Sequence, residues 1–118
     1  MQVFKTSRTV IANDIDHHNH VNNIRYLEWI QALAAAHWES VSTAIQRQEN
    51  AWVVMGHEID YLAAAFEGEQ LELKTYVSKC EGATSIREVE IINAQTGKLL
   101  LKSKTKWCMT DPKTKRPK

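Results

Sequence analysis

Residues 14 to 29 read Asp-Ile-Asp-His-His-Asn-His-Val-Asn-Asn-Ile-Arg-Tyr-Leu-Glu-Trp and carry the clearest structural signal in this sequence. The first half is crowded with side chains that donate or accept protons. The second half predicts the start of a helix, since Asn22 and Asn23 suit its first positions and apolar residues then recur at helical spacing. Free N–H groups and the helix dipole favour negative charge at such a place. The segment is therefore suited to stabilising an oxyanion.

The pattern beyond this segment predicts one long helix followed by strands. We expect the helix to run from about Asn22 to about Gln46, with an apolar face made by Ile24, Leu27, Ile30, Leu33, Ala34, Trp38, Val41 and Ile45. We expect strands at residues 2–10, 51–62, 69–79, 84–93 and 98–109, with hairpin turns at 81–82 and 95–97. Gly56 predicts a bulge or a close approach within the second strand.

One early helix followed by four consecutive strands implies an α+β fold, in which a curved, five-stranded antiparallel sheet encloses the helix. Residues 1–118 are predicted to form a single domain, with 111–118 as a loose basic tail. The edge strands of so small a sheet need cover, which pairing with a second copy would supply.

The composition is that of an ordinary globular protein, with 43% apolar and 25% charged residues in 118. No apolar run approaches the ~20 residues of a membrane helix, and the first residues lack a signal-peptide pattern. We therefore expect a cytoplasmic protein. Cys80 and Cys108 are too few and too far apart for a zinc site or a disulfide framework, so we expect both to be buried or half-buried in strands.

The net charge of +1 conceals an asymmetry. Residues 1–97 hold seven Lys/Arg and thirteen Asp/Glu, a balance of −6, whereas residues 98–118 hold eight basic residues and one acidic residue, a balance of +7. This basic end is either a solvated strand face and tail or an electrostatic guide for a phosphate-bearing partner. No nucleic-acid-binding motif accompanies it.

The pattern Asp16-x-x-x-His20-Val21-Asn22-Asn23-x-x-Tyr26 resembles the hot-dog-fold thioesterases, both the 4-hydroxybenzoyl-CoA thioesterase-like enzymes and the plant acyl-carrier-protein thioesterases. The resemblance implies hydrolysis of acyl-CoA or acyl-carrier-protein (acyl-ACP) thioesters, as in fatty acid metabolism. It also implies a homodimer or homotetramer with the substrate cleft between subunits. Thioester hydrolysis needs no metal, and we expect no cofactor.

The resemblance also assigns roles to individual residues. Asp16 matches the aspartate that acts in these enzymes either as a nucleophile or as a general base. The sequence does not decide between the two roles. The Asn23 amide is the expected oxyanion donor, and His20 is the expected partner for proton transfer. Four further residues are expected to contact substrate: His18, Val21, Asn22 and Tyr26.

The sequence departs from the family pattern at three positions. His18 stands where the plant enzymes have Asn, and Ala64 where they carry a further catalytic Glu, which favours the simpler mechanism of the bacterial enzymes. Asn19 stands where many of those bacterial enzymes have Gly. Asn tolerates left-handed backbone geometry better than most residues.

Other interpretations of these residues are open. His17, His18 and His20 with Asp16 could bind a metal, although three histidines in one loop do not converge easily. Asp16 and His20 could instead brace the loop through a hydrogen bond, and Tyr26 and Trp29 suit either core or pocket. The remaining titratable residues are expected to be solvated (Asp14, His17) or structural (His37, His57).

Two other functions fit the same fold. An enoyl-thioester hydratase or dehydratase also uses a carboxylate and a His near a helix, but its motifs differ from His-Val-Asn-Asn. The second alternative is a non-catalytic domain, which either binds an acyl or aromatic ligand or serves only to form an assembly.

Overall fold

The structure, a computed structural model, describes residues 2–118. The elements in chain order are β1 (Phe4–Thr9), a 3₁₀ turn (Ala12–Asp14), α1 (Asn23–Val41), α2 (Ala44–Glu49), β2 (Ala51–Tyr61), β3 (Gln70–Glu81), β4 (Thr84–Asn93) and β5 (Leu99–Thr110). The five strands form one antiparallel sheet in the order β1-β3-β4-β5-β2. The predicted α+β architecture is confirmed, and β1 and β2 are the edges of the sheet.

One face of α1 packs on the inner face of the sheet and makes the core. The helix contributes Tyr26, Trp29, Ile30 and Leu33, and the sheet contributes Leu71, Leu73, Val89, Ile91, Leu100 and Leu101. The predicted apolar face was only partly right, because Ile24, Val41 and Ile45 are exposed by 63%, 48% and 65%. Tyr26 and Trp29 begin the buried stripe instead, and their large rings bury more surface than the aliphatic residues beside them.

The prediction of a continuous helix to Gln46 was wrong, because the chain breaks after Val41 and begins a second helix at Ala44. Thr43 caps α2: its hydroxyl accepts from the Gln46 amide at 3.1 Å, while the Gln46 side chain accepts from the Thr43 amide at 2.9 Å. This reciprocal capping box offers the backbone an alternative to continued helix. The guanidinium of Arg47 holds the corner by donating to the carbonyl of Ser42 at 2.7 Å.

The strands match their predicted positions to within two residues at each end. The register of β2 against β5 shifts between Val54 and Gly56, which confirms the bulge. Gly82 and Gly97 have φ of +59° and +76° in the two hairpin turns, a geometry that glycine adopts without a steric penalty. Cys108 is buried as expected, but Cys80 is exposed, so that expectation was wrong for Cys80.

The lysines of β5 do not form an uncompensated basic stripe. Lys102 pairs in register with Asp60 on β2 and Glu90 on β4. Lys104 likewise lies between Glu58 and Glu88. Opposite charges on neighbouring strands attract, so these acidic residues offset the positive charge along most of this strand.

Residues 111–118, predicted as a loose tail, fold back on the end of β5. The Asp111 carboxylate accepts from the Lys113 and Thr114 amides at 2.8 and 3.2 Å, and these bonds lower its pKa. The ammonium of Lys118 donates to the carbonyl of Glu49 at 2.8 Å and the side chain of Asn50 at 3.0 Å. The end of the chain is thus attached to the end of α2.

Candidate active site

A closed loop leads from β1 to the start of α1. Ile15 and Val21 form an antiparallel bridge at its base. Inside it, the Asp16 amide donates to the His20 carbonyl at 3.1 Å, and the Asn19 amide donates to the Asp16 carbonyl at 3.0 Å. Asn19 has φ of +66°, the left-handed geometry that its side chain tolerates. Asn can therefore hold the turn where many of the resembling enzymes have Gly.

The carboxylate of Asp16 is half-buried and oriented by the loop itself. Its Oδ1 accepts a hydrogen bond from the His18 amide at 2.8 Å. Within residues 2–118, Oδ2 accepts none. One oxygen thus fixes the orientation of the group, while the other is available to a substrate or a water molecule.

The three histidines of the loop differ in exposure. His17 and His18 are exposed, their rings 4.0 Å apart between centroids, and His20 is half-buried beside them. Nδ1 of His20 lies 3.3 Å from the Val21 carbonyl, which can only accept, so Nδ1 is the donor in this contact and Nε2 takes no part in it. Across the described chain, Asp16 and His20 are joined by a backbone hydrogen bond and not by a side-chain one.

The start of α1 leaves one backbone donor free. The Asn22 side chain accepts from the Ile24 amide at 3.0 Å, and the Asn22 carbonyl accepts from the Arg25 amide at 2.9 Å. The Asn23 amide, which precedes these two, donates to no acceptor in residues 2–118. It is thus the first helical N–H open to an incoming oxygen.

Val21 and Tyr26, both expected to contact substrate, lie in the core beneath the loop at 1% and 4% exposure. The Val21 amide donates to the carbonyl of Ala65 at 2.9 Å, which joins the loop to the segment after β2. Burial raises the pKa of Tyr26 to about 12, so its hydroxyl stays protonated at neutral pH. The loop brings Asp16, His18 and His20 together and leaves these two residues below it.

The expectation that Asp14 is solvated was wrong, since only 5% of the residue is exposed. Its carboxylate accepts from the Ile11 amide at 3.0 Å and lies 3.1 Å from Nε of Arg25. Arg25 also donates to the Asn13 carbonyl at 2.8 Å. The Asp14–Arg25 ion pair was not predicted, although an acid before the helix and a base in its first turn were a sequence signal for it.

The segment from Ala63 to Phe66 runs beside the loop, because the carbonyl of Ala65 is bonded to Val21. Ala64, aligned with a catalytic Glu of the plant enzymes, is exposed next to this contact. The neighbouring Glu69 is already engaged: one carboxylate oxygen accepts from the Phe66 amide at 2.6 Å, the other from the Asn93 side chain at 2.7 Å. Ala64 itself provides only a methyl group.

The remaining histidines are bonded inside the fold. His57 shares a hydrogen bond of 2.8 Å with the buried Thr105, and His37 bonds Arg87 at 2.8 Å. In the described part of the chain, no three His, Cys, Asp or Glu side chains are grouped so as to hold a metal ion. No helix among residues 2–118 is both long and apolar enough to cross a bilayer.

Comparison with known proteins places these features in context. Residues 10–118 match the family described as the thioesterase-like superfamily. No curated protein matches the sequence.

Solved structures share the fold at low sequence identity. A 1,4-dihydroxy-2-naphthoyl-CoA thioesterase from Synechocystis has a TM-score of 0.86 at 19% identity, over 99% of this chain and 88% of that one. The probable thioesterase YbaW from Escherichia coli has a TM-score of 0.84 at 24% identity, over 97% and 87%. The 12:0-ACP thioesterase from Umbellularia californica has a TM-score of 0.85 at 14% identity, over 98% of this chain and 45% of that one. These likenesses confirm the hot-dog architecture.

Proposed function

Because the chain belongs to the thioesterase-like superfamily and is a thioester hydrolase, we propose that it cleaves acyl-CoA or acyl-ACP thioesters at the loop before α1. Asp16 is the proposed nucleophile or general base, and the Asn23 amide is the proposed oxyanion donor. The observation that carries this assignment is a carboxylate, held by one oxygen, in a loop that leads directly into a helix whose first amide is free.

Asp16 can act by either of two routes. As a nucleophile, its free oxygen attacks the thioester carbonyl, the thiolate leaves, and water then hydrolyses the mixed anhydride. As a general base, it takes a proton from a water molecule that attacks the carbonyl directly. In both routes one thioester and one water give one carboxylic acid and one thiol. The His18 amide supports either route by fixing Oδ1.

The tetrahedral intermediate needs a donor for its developing negative charge. One backbone N–H in such a position is typically worth roughly 2.7–4 kcal/mol in the transition state. Asn22 prepares the Asn23 amide by occupying the next two N–H groups with its own side chain and carbonyl. His20, whose Nε2 is not used in the contact with Val21, is proposed to carry protons between the reacting groups and solvent.

The other predicted residues fall into two groups in this proposal. His18 and Asn22 lie at the loop surface and helix start, so we propose that they contact the substrate near its thioester. Val21 and Tyr26 are buried, so we propose that they support the site from below by fixing the loop on the core.

Replacement of Asp16 by Asn tests the assignment. Thiol release from a panel of short, long and aromatic acyl-CoAs and acyl-ACPs should fall at least ~10²-fold, the scale of general-base loss. Glu39→Gln, which changes an exposed carboxylate at the end of α1 opposite the loop, is the matched control and should leave the rate unchanged. Both variants should show native circular dichroism.

Near-full thiol release by the Asp16→Asn protein would remove this residue from the mechanism. Following double-bond absorbance beside thiol release separates hydrolysis from a hydratase or dehydratase reaction. Ligand binding without hydrolysis on the whole panel would favour a binding domain.

We also propose that the chain forms a homodimer or homotetramer through β2. This edge strand has 11 residues and is unpaired on one side within the described chain. Its Val53 and Met55 side chains are exposed by 49% and 57%. A long apolar edge is open to association unless another strand covers it.

Light scattering coupled to size exclusion tests this proposal. The wild type should elute with twice or four times the 13.5 kDa mass of one chain, and Val53→Lys should shift it toward that mass. Lys5→Ala, on the other edge strand, is the control. A monomeric wild type would rule the proposal out.

The basic residues of the segment 111–118 are better placed to attract an anionic partner than the lysines of β5. Lys113, Lys115 and Arg116 are exposed, and Asp111 is the single acid of this segment. We propose that they attract the phosphates of coenzyme A or the acidic surface of a carrier protein in the cytoplasm. Such steering weakens with ionic strength.

A further inference from the structure

Arg87 occupies an unusual position for a charged residue. It lies on β4 in phase with the buried Ser85, Val89 and Ile91, so its side chain starts from the inner face of the sheet. Its register partners are Val77 on β3 and the fully buried Thr105 on β5. A guanidinium on the inner face of a central strand loses hydration, which is unfavourable unless another group compensates.

The residues around Arg87 provide no negative charge. Its Nη1 donates to Nδ1 of His37 at 2.8 Å and to the Thr75 hydroxyl at 3.1 Å, both neutral acceptors. No carboxylate of residues 2–118 lies within 4.0 Å of it. Since both hydrogen bonds come from Nη1, the hydrogens of Nη2 and Nε have no acceptor in the described chain. Those two nitrogens form the planar fork that binds a carboxylate through two hydrogen bonds.

His37 does not act as the missing counter-ion. A guanidinium can only donate, so Nδ1 of His37 is the acceptor and the ring is neutral. Burial, and then the neighbouring Arg87, lower the pKa of His37. The ring also stacks on Phe4 with centroids 5.0 Å apart. His37 therefore orients the guanidinium without neutralising it.

A cavity of about 570 Å³ lies beside this fork, between the second half of α1 and the sheet. Its size falls within the range of small-molecule sites, ~300–1,000 Å³. The residues that matter for recognition are His37, Trp38, Trp52, Val77, Arg87 and Trp107. None of the residues from Asp14 to Asn23 lines it.

We propose that this cavity, the Arg87 cavity, binds a carboxylate carried on an aromatic or aliphatic body. The carboxylate pairs with Nη2 and Nε of Arg87, and the body packs on the indole rings. The aromatic walls favour such a ligand over inorganic phosphate or another small hydrated anion. The carboxylate belongs either to a free organic acid or to the far end of an acyl group that bears a second carboxylate. The cavity is lined by none of the loop residues, so binding of a free acid does not depend on the proposed hydrolytic function, whereas the acyl-group alternative rests on it.

Isothermal titration of the full chain with 4-phenylbutyrate and the uncharged 4-phenylbutyramide is the direct test. The wild type should bind the carboxylate at least roughly tenfold more tightly, the scale of a charged hydrogen bond, and should not bind inorganic phosphate. Arg87→Met should lose roughly tenfold or more of the carboxylate affinity, whereas Arg87→Lys should keep part of it. Arg8→Met, which removes an exposed arginine that does not line the cavity, should match the wild type.

Equal affinity of the wild type for the acid and the amide overturns the proposal, however the variants fold. Unchanged carboxylate affinity in Arg87→Met overturns it as well. The indole N–H signals locate the ligand: those of Trp38, Trp52 and Trp107 should shift in nuclear magnetic resonance spectra. Trp29, in the core outside the cavity, is the internal control, and a shift confined to it contradicts the site.

Hydrolysis of adipoyl-CoA and hexanoyl-CoA distinguishes the two sources of the carboxylate. A raised KM for adipoyl-CoA alone in Arg87→Met identifies the acyl group of the substrate. Carboxylate binding with no kinetic effect identifies a free acid. If neither thioester is hydrolysed, the proposed hydrolytic function fails while the titration still decides the Arg87 cavity.

Discussion

Replacement of Asp14 by Asn should loosen the loop that carries Asp16. The substitution keeps the shape of the side chain but removes the charge that faces Arg25 at 3.1 Å. Loss of one partner from a buried ion pair costs about 3–5 kcal/mol. The Arg25 side chain is 30% exposed and has Glu28 as a second partner at 3.2 Å, so solvent and that partner reduce the penalty. We expect a loss of about 2 kcal/mol, or about 6–12 °C in Tm for a domain of this size.

Urea denaturation followed by tryptophan fluorescence measures this loss, and Glu28→Gln is the matched control. The Glu28 side chain is 56% exposed and binds the same Arg25, so its removal should change the free energy of unfolding by less than ~1 kcal/mol. A double-mutant cycle of Asp14→Asn with Arg25→Met should give a coupling of at least ~1 kcal/mol. A loss below ~0.5 kcal/mol for Asp14→Asn, with no coupling in the cycle, would refute a stabilising role for the Asp14–Arg25 ion pair.

Two further predictions concern single positions. At Asn19, whose φ is +66°, Gly should be tolerated while Ala should lose about 1 kcal/mol of unfolding free energy by denaturant titration; equal values for the two would contradict the strain argument. His37 has a lowered pKa, so the unfolded chain takes up its proton first as the pH falls below about 6.5. Stability should therefore be fully present above that pH and decrease below it, and His37→Gln should reduce this decrease in urea midpoints measured from pH 7.5 to 5.

The strands were predictable from sequence because each depends on neighbours close along the chain. Alternating residues from Leu71 to Val77 located β3, and the glycines Gly82 and Gly97 marked the two hairpins. The helix was harder. Its end at Val41 depends on a capping box between Thr43 and Gln46, a local competition that the continuing apolar spacing concealed.

The candidate site was predictable only where its residues lie close together in sequence. The motif located Asp16 and the helix start, because both lie within a few residues of each other. Asp14 was misassigned because its burial depends on Arg25, which the helix brings back onto the loop. The two-residue period of a strand puts Arg87 on the same face as Val89 and Ile91. The sequence therefore indicated a charged residue on the inner face, but only the cavity beside it indicated a binding role.

The amino-acid sequence by itself determined the order of the long helix and the five strands, the family resemblance and the proposed chemical groups, since these follow from local spacing and residue type. Only the tertiary structure decided which side chains are buried together and which charges are paired. It placed acidic residues of both neighbouring strands beside Lys102 and Lys104 of β5, and it left Arg87 without a carboxylate. The physical reason is that burial and Coulomb attraction depend on distances in space, which residues far apart in sequence acquire only when the sheet and helix pack.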